Sequence, residues 1–449
     1  MKFGIDEGLQ ALANSCPFPL YIVGGFTRDT LAGLKSADAD MDICAPADTE
    51  EFVTSAKKVG AGVNAVYKNT GTVKLTLNGR EYEFTCFRSD EYIRGVHRPV
   101  KTYFTDDIVA DAKRRDFKCN AVYFDIKSGE LCDPLGGVED IKNKRITTVR
   151  EADRVFGEDG LRLMRLARQA GQTGFKPDED CLNGARENAR LISDISPERV
   201  YTELIAILHA DLRYNIEDGQ YRGLEILEKT QVLDYILPEL TAGRKMAQPE
   251  KYHSYDVLYH SLRAVKYAHP SVRLAALLHD IGKPYCKQTH GNYYGHEKES
   301  ARIAEQVLTR LKAPKALTAE VVRLCAAHMY DLRCDARESK VRRFIVNNYD
   351  IIEKLLYLKQ ADFSACRDDT SEAPCVTKWK EVLNRMEKEG APFTLKSLAV
   401  RGDELIEAGV PKEKTGKILK ILLCDCAVEP DLNDKSKLLP RAVRYADEV

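Results

Sequence analysis

Asp40-Met41-Asp42 sets two carboxylates one residue apart, shortly after the glycine pair Gly24-Gly25 and the charged pair Arg28-Asp29. If Ala39–Cys44 is a strand, its alternating side chains bring Asp40 and Asp42 to one face. Two carboxylates there make an oxygen-rich site suited to Mg²⁺ and phosphate oxygens. The competing register Asp38-Ala39-Asp40 is the weaker one, because apolar Ile43 carries the strand on past Asp42. Upstream, Leu20–Val23 is a short apolar strand running into the glycines. A strand–Gly-Gly–helix order leaves backbone N–H groups free for a phosphate, with Arg28 one turn into the helix to add charge. Holding two metal ions and deprotonating an attacking hydroxyl calls for a third carboxylate, and Glu83, in the strand Tyr82–Phe87, is the candidate. A solvated acidic turn and an exposed strand glutamate are the alternatives on these segments alone.

Two further stretches carry charge in patterns with a use. In Lys113–Ala121, Arg114 and Arg115 offer planar donors for phosphate, and Asp116 can orient one of them. Glu158–Arg168 reads as one helix with Asp159, Arg162, Arg165 and Arg168 at three-residue steps. Residues three apart are helix neighbours, so Asp159 and Arg162 present an acceptor beside a donor. That pair matches the edge of cytosine or adenine, each with an amino donor next to an acceptor. A salt-bridged, solvated helix face is the alternative.

The elements that must position these groups follow from the wider pattern. Val73–Leu77 and Tyr82–Phe87 alternate around Asn78-Gly79, a hairpin signal, and Ala121–Phe124 reads as another strand. The first 145 or so residues therefore form an α/β region on a small, partly antiparallel sheet. From about Asp153 onward helical periodicity dominates, with Ser196-Pro197-Glu198 a clear helix start. A chain of 449 residues is too long for one core. Lysine and arginine (68) nearly balance aspartate and glutamate (69), so a polyanion partner would need a local basic groove rather than a global field. The 13 cysteines include no Cys-x-x-Cys pair and sit mostly in apolar stretches, as small buried residues do. No apolar run is long enough for a membrane span and the first residues lack a signal-peptide core, which leads us to expect a cytoplasmic protein.

In order along the chain, these motifs closely resemble the class II (bacterial-type) tRNA nucleotidyltransferases, the CCA-adding enzymes with their poly(A) polymerase relatives. Gly24-Gly25, Arg28-Asp29 and Asp40-Met41-Asp42 match the family's opening motif, and Glu83–Arg88 resembles the strand of its third carboxylate. A flexible loop is similar to Asp90–Pro99, with Tyr92, Arg94 and Arg98. Arg114–Ala121, Asp133-Pro134-Leu135-Gly136-Gly137, Glu158–Arg162 and Ser196–Arg199 resemble the motifs that follow. Lys118-Cys119 departs from the threonine usual at that point. The resemblance implies an α+β fold: a polymerase-β-like nucleotidyltransferase head with a small mixed sheet (1–145), then an all-helical neck (146–215), HD body (216–370) and tail (371–449). It implies addition of CMP, CMP and AMP from CTP and ATP to a tRNA 3′ end without a template. Asp40, Asp42 and Glu83 would be catalytic, the two aspartates holding Mg²⁺. Gly24, Gly25, Arg28, Arg114, Arg115, Asp116, Asn120, Arg165 and Arg168 would line the nucleotide site, with Asp159 and Arg162 choosing the base. The intact loop around Arg94 and Arg98 favours the full reaction over CC-only addition. Poly(A) addition, A-only or CC-only addition, and a mainly HD-type phosphohydrolase are the alternatives.

A second constellation lies downstream. His260, the adjacent His279-Asp280, and Asp362 are spread over helical segments and resemble the HD-domain phosphohydrolases, which implies a second divalent metal. His296 and His328 fall between them, whereas His253, His269 and His290 read as surface residues.

Overall fold

The computed structural model describes residues 3–34, 41–94, 96–97, 99–249, 251 and 253–448. Asp40, with Asp38 and Arg98, lies outside the described residues. The chain divides into two compact units, Met1–Thr241 with Arg310–Lys312, and Ala242–Thr309 with Ala313–Val449.

The first unit opens with α1 (Glu7–Ser15), β1 (Tyr21–Val23), α2 (Gly25–Ala32), β2 (Asp42–Ala45) and α3 (Thr49–Lys58). Strands β3 (Gly62–Tyr67), β4 (Thr72–Leu77) and β5 (Arg80–Cys86) follow, and β8 (Tyr123–Asp125) and β9 (Leu131–Cys132) complete a seven-stranded sheet in the order β3-β4-β5-β2-β1-β8-β9. Only the β2–β5 pair among these is parallel, so the sheet is mixed, as expected. The Asn78-Gly79 turn joins β4 to β5 with Leu77 opposite Arg80. Between the sheet strands lie the two-stranded hairpin β6 (Arg88–Glu91) and β7 (Lys101–Phe104) and then α4 (Ile108–Lys113).

Alternation along the strands sorts the sheet into two faces. Ile22, Ile43, Ala45, Tyr82, Phe84 and Cys86 bury one face against Leu9 and Leu12 of α1 and Phe52 and Ala56 of α3, with the Phe52 and Phe84 rings stacked at 3.6 Å. Val23 and Cys44 turn to the other face and pack with Phe87, Ala112 and Tyr123. Asp42 and Glu83, being in parallel register, belong to that second face.

Beyond α5 (Gly137–Lys142) the unit is essentially helical: α6 (Ala152–Glu158), α7 (Leu161–Thr173), α8 (Glu179–Glu187) and α9 (Pro197–Leu208). Among the described residues the only regular structure of the second unit is helical, including the tail segments Gly402–Glu407 and Lys412–Val428. Among the described residues no helix is long and apolar enough to cross a membrane. All 13 cysteines are free, and nine are buried.

The start of α5 has no room for a side chain. A Cβ on Gly137 would lie 2.1 Å from the Lys118 carbonyl oxygen and 2.7 Å from Val122 Cγ2. Gly137→Ala should therefore destabilise the first unit by about 2–4 kcal/mol, read as a lower urea midpoint.

Candidate active site and metal centre

The site in the first unit begins where β1 ends. Gly24 caps α2 with φ of +83°, a left-handed conformation that only glycine takes without strain, and no side chain among the described residues caps the helix. A Cβ there would also come within 3.3 Å of Asp42 Oδ2, so the open helix N-terminus and the Asp42 carboxylate meet directly. Asp42 opens β2, and Glu83 stands beside it on the same sheet face. The Glu83 carboxylate is half-exposed and lies 3.4 Å from Lys74 Nζ.

Around this corner is a cavity of about 630 Å³ lined by Gly24, Gly25, Arg28, Asp42, Arg114, Arg115, Asp116, Asn120, Asp159, Arg162, Arg165 and Arg168, with Arg88, Asp90, Tyr92, Arg199 and Arg213 completing its charged wall. Every nucleotide-site residue expected from the sequence is on that wall, and Glu83 is not.

The wall is organised by buried carboxylates. Asp111, on α4, is fully buried and accepts from Arg114 Nε at 2.7 Å, from Arg115 Nη2 at 3.1 Å and from the Tyr123 hydroxyl at 2.7 Å. Burial opposes its charge, but the two guanidiniums outweigh that and hold its carboxyl down at about 2. This corrects the expected role of Asp116, which orients neither of those arginines. Asp116 instead accepts from Arg165 Nε and Nη2 at 2.8 and 2.6 Å and from Asn120 Nδ2 at 3.0 Å. Burial is again outweighed, here first by Arg165, and its carboxyl lies well below the usual range. Asn120 in turn accepts from Arg28 Nη1 at 2.8 Å and donates to Gln169 Oε1 at 2.8 Å. Cys119, at the motif's departure, is buried with its sulfur 2.9 Å from Gln169 Nε2. Asp111 was within reach of sequence reasoning, since it precedes Arg114 and Arg115 by three and four residues.

A second correction concerns Asp159 and Arg162. Glu158–Arg168 is not one helix: α6 ends at Glu158, Asp159 is extended (φ −147°, ψ 107°), and α7 starts at Leu161. Asp159 Oδ1 accepts from Leu161 N at 3.0 Å, while its Oδ2 is 3.9 Å from Arg199. Arg162 donates to Glu158 Oε2 at 3.1 Å, Val155 O at 2.9 Å and Arg114 O at 2.7 Å, and its guanidinium lies over the Tyr92 ring. A bend, with no shared helical face, brings Asp159 and Arg162 to the same cavity. Gly160 has no alternative at the bend, because a Cβ would meet Leu191 O at 2.6 Å. Arg168 is paired with Glu203 at 2.7 Å. In the hairpin's loop, Arg94 donates to Asp153 and Asn188.

In the second unit His260, His279, Asp280 and Asp362 come together in the core. His260 Nε2 lies 3.0 Å from Asp362 Oδ1 and 3.3 Å from His279 Nε2. His296 and His328 complete the cluster, their Nε2 atoms 3.1 and 3.7 Å from Asp280 Oδ1 without hydrogen-bond geometry. His279, His296 and His328 each place Nδ1 at 2.7–2.8 Å from a carbonyl oxygen three residues earlier. Those bonds put the proton on Nδ1 and aim the Nε2 lone pair inward, the arrangement of a metal-ligating histidine. Burial works against charge on His279, yet Asp280 and Asp362 push it up to about 10. The donor set and the orphaned Nε2 atoms fit a divalent ion, which would supply the compensating charge directly. His269 and His290 are exposed as expected, but His253 is only half-exposed, with its Nδ1 buried and its ring packed edge-on against His260 at 5.0 Å.

Asp111 also makes a testable contribution to stability. Its lowered pKa means that its stabilisation is complete above the ordinary carboxylate range and is lost as pH falls from about 4 to about 2. Asp111→Ala should cost about 3–5 kcal/mol by stranding two half-buried guanidiniums, and should flatten the acid limb of stability against pH in urea titrations.

Comparison with known proteins agrees with this geometry. Residues 20–147 match the family described as "Poly A polymerase head domain", residues 174–243 the "Probable RNA and SrmB- binding site of polymerase A", and residues 251–362 the "HD domain". The A-adding tRNA nucleotidyltransferase of Deinococcus radiodurans is 30% identical over 371 residues, covering 79% of each chain. The CCA-adding enzyme of Ligilactobacillus salivarius is 37% identical over 191 residues, and the match spans 46% of its length, about half, as with the other CCA-adding relatives. The Bacillus stearothermophilus CCA-adding enzyme in complex with CTP shares the fold, with a TM-score of 0.69 and 22% identity over 98% of both chains. Nucleotidyltransferases and HD proteins of these families depend on divalent metal ions. The chain thus belongs to the tRNA nucleotidyltransferase and poly(A) polymerase family, as a nucleotidyltransferase that also carries an HD domain.

Proposed function

We propose that this chain is a CCA-adding tRNA nucleotidyltransferase, transferring CMP, CMP and AMP from CTP and ATP to a tRNA 3′ end without a nucleic-acid template. The observation that carries this reading is one cavity where Asp42, the open N-terminus of α2, and the Asp159–Arg162 bend converge. In it the triphosphate lies against Gly24, Gly25 and the Arg114/Arg115 pair, whose charge and N–H groups suit phosphate. Asp159 accepts from the amino group that cytosine and adenine share, and Arg162 donates to the acceptor beside it, so uracil and guanine are refused at that edge. Asp40 and Asp42 would hold Mg²⁺, with Glu83 beside Asp42 as the third carboxylate; the ion would supply charge to activate the tRNA 3′-hydroxyl and to neutralise the departing pyrophosphate. The layout of head (1–145), neck (146–215), HD body (216–370) and tail (371–449), and a cytoplasmic location where tRNA is found, belong to the same proposal. The end of the seven-stranded sheet at Cys132 and the helices from Ala152 onward support the first boundary, although a short ladder pairs Arg145–Ile146 with Lys176–Pro177 across it.

Addition of the terminal A alone is a second reading, favoured by the A-adding relative, which matches over 371 residues. Single-turnover extension of tRNAs ending before CCA, after C and after CC separates the two. We expect CMP on the first two substrates and AMP on the third; AMP on the third alone would select the second reading, and no incorporation would refute both. Asp42→Asn should slow addition by at least about 10³-fold.

For the HD centre we propose a bound divalent ion held by His260, His279, Asp280 and Asp362, suited to phosphate-ester hydrolysis. His279→Ala should lower the metal content and remove any phosphatase or phosphodiesterase activity while nucleotide addition persists. Loss of addition in a folded His279→Ala protein would contradict two independent sites.

A further inference from the structure

Three of the histidines in the second unit share one pattern, with Nδ1 bonded to a backbone carbonyl and Nε2 turned into the cluster. His260 breaks it. Its Nε2 faces Asp362 and His279 like the others, but its Nδ1 is buried and has no hydrogen-bond partner among the described residues, in a ring with no exposed surface. The neighbouring ring is His253, and its Nδ1 is also buried and unpartnered among the described residues. Leaving two such nitrogens dry costs free energy that a ligand would recover. Cys366 closes the group: one ligand atom each from His253, His260 and Cys366 lie within 4.8 Å of one another. Cys366 is one helical turn after Asp362 on the helix Ile352–Arg367, and its Sγ donates to the Asp362 carbonyl at 3.3 Å. One turn of helix thus supplies a carboxylate to the His/Asp centre and a sulfur beside it.

We propose that His253, His260 and Cys366 form a sulfur-containing metal site bordering the His/Asp centre. Two imidazole nitrogens and a thiolate suit a borderline or soft ion, Zn²⁺ foremost, rather than Mg²⁺. Binding displaces to solvent the Cys366 thiol proton and the single ring N–H proton of His260, which then bridges the two ions as an imidazolate; metal–sulfur and metal–nitrogen bonds form with no change of oxidation state. The site is read from these three residues and holds whether or not the head adds nucleotides.

Cobalt(II) loading of the full-length chain tests it, because a thiolate ligand adds a near-ultraviolet sulfur-to-cobalt charge-transfer band that nitrogen and oxygen ligands do not. We expect the band in the wild type and its loss in Cys366→Ser, with visible cobalt bands of the His/Asp centre retained. His253→Gln should weaken the band without removing cobalt from that centre. Cobalt uptake without a charge-transfer band in the wild type would overturn the proposal, and uptake itself reads the His/Asp centre separately. Should Cys366→Ser fail to fold, alkylation of the wild type decides: Zn²⁺ should slow labelling of Cys366 and leave Cys424, another half-buried cysteine, unchanged. Equal labelling of Cys366 with and without Zn²⁺ would refute the site.

Discussion

The carboxylate of Asp116 is the join on which the first unit's chemistry depends. It is 5% exposed and binds Arg165 of α7 through two hydrogen bonds, Asn120 of the turn before β8, and its own chain at Phe117 N. Asn120 passes the connection to Arg28 on α2, and Arg28 is pinned from its other side by Asp29. A single buried acceptor therefore fixes α2, whose open N-terminus meets Asp42, relative to α7, which follows the Asp159-Gly160 bend. Such a network is stable only when complete, because each charge left unpaired in the interior is expensive.

The same logic explains how a chain of near-zero net charge builds a basic cavity. Arg114 and Arg115 are anchored by Asp111, Arg165 by Asp116, Arg168 by Glu203 and Arg162 by Glu158, so each guanidinium is held in place before any ligand arrives. Pre-ordered side chains lose less entropy on binding, and charge developing on a phosphate meets donors that need not reorganise. The acids thus set geometry as well as charge. In the second unit Asp280 has a comparable part, with Oδ2 toward His279 and Lys283 and Oδ1 toward His296.

Much of this was legible in the residues. The glycine turn, the Asn78-Gly79 hairpin and the proline-led helix α9 are local signals, and local conformation follows from φ preferences and hydrogen-bonding groups of a few neighbours. The set of cavity residues was legible through the family resemblance, because Gly24-Gly25, Asp40-Met41-Asp42 and Arg114-Arg115 stand in that family's order. His253 was misplaced because an isolated histidine between polar residues has no periodic signature; only the packing of the helix Val257–Tyr267 brings His260 beneath it.

Pairings were the part hidden from the sequence. Charge alone makes Asp116 an equally good partner for Arg114, Arg115 or Arg165, and helical periodicity alone makes Asp159 and Arg162 neighbours on one face. The tertiary structure chose Arg165, because Asp116 and α7 are buried against each other across 49 residues of chain. It also broke the helix at Asp159-Gly160, where the Leu191 carbonyl leaves no space for a Cβ. By itself the sequence determined which groups are present, which faces are apolar and where the turns fall, because these depend on near neighbours. Which acid meets which base, and at what angle, was decided only by packing, where burial makes one arrangement of charges far cheaper than the rest.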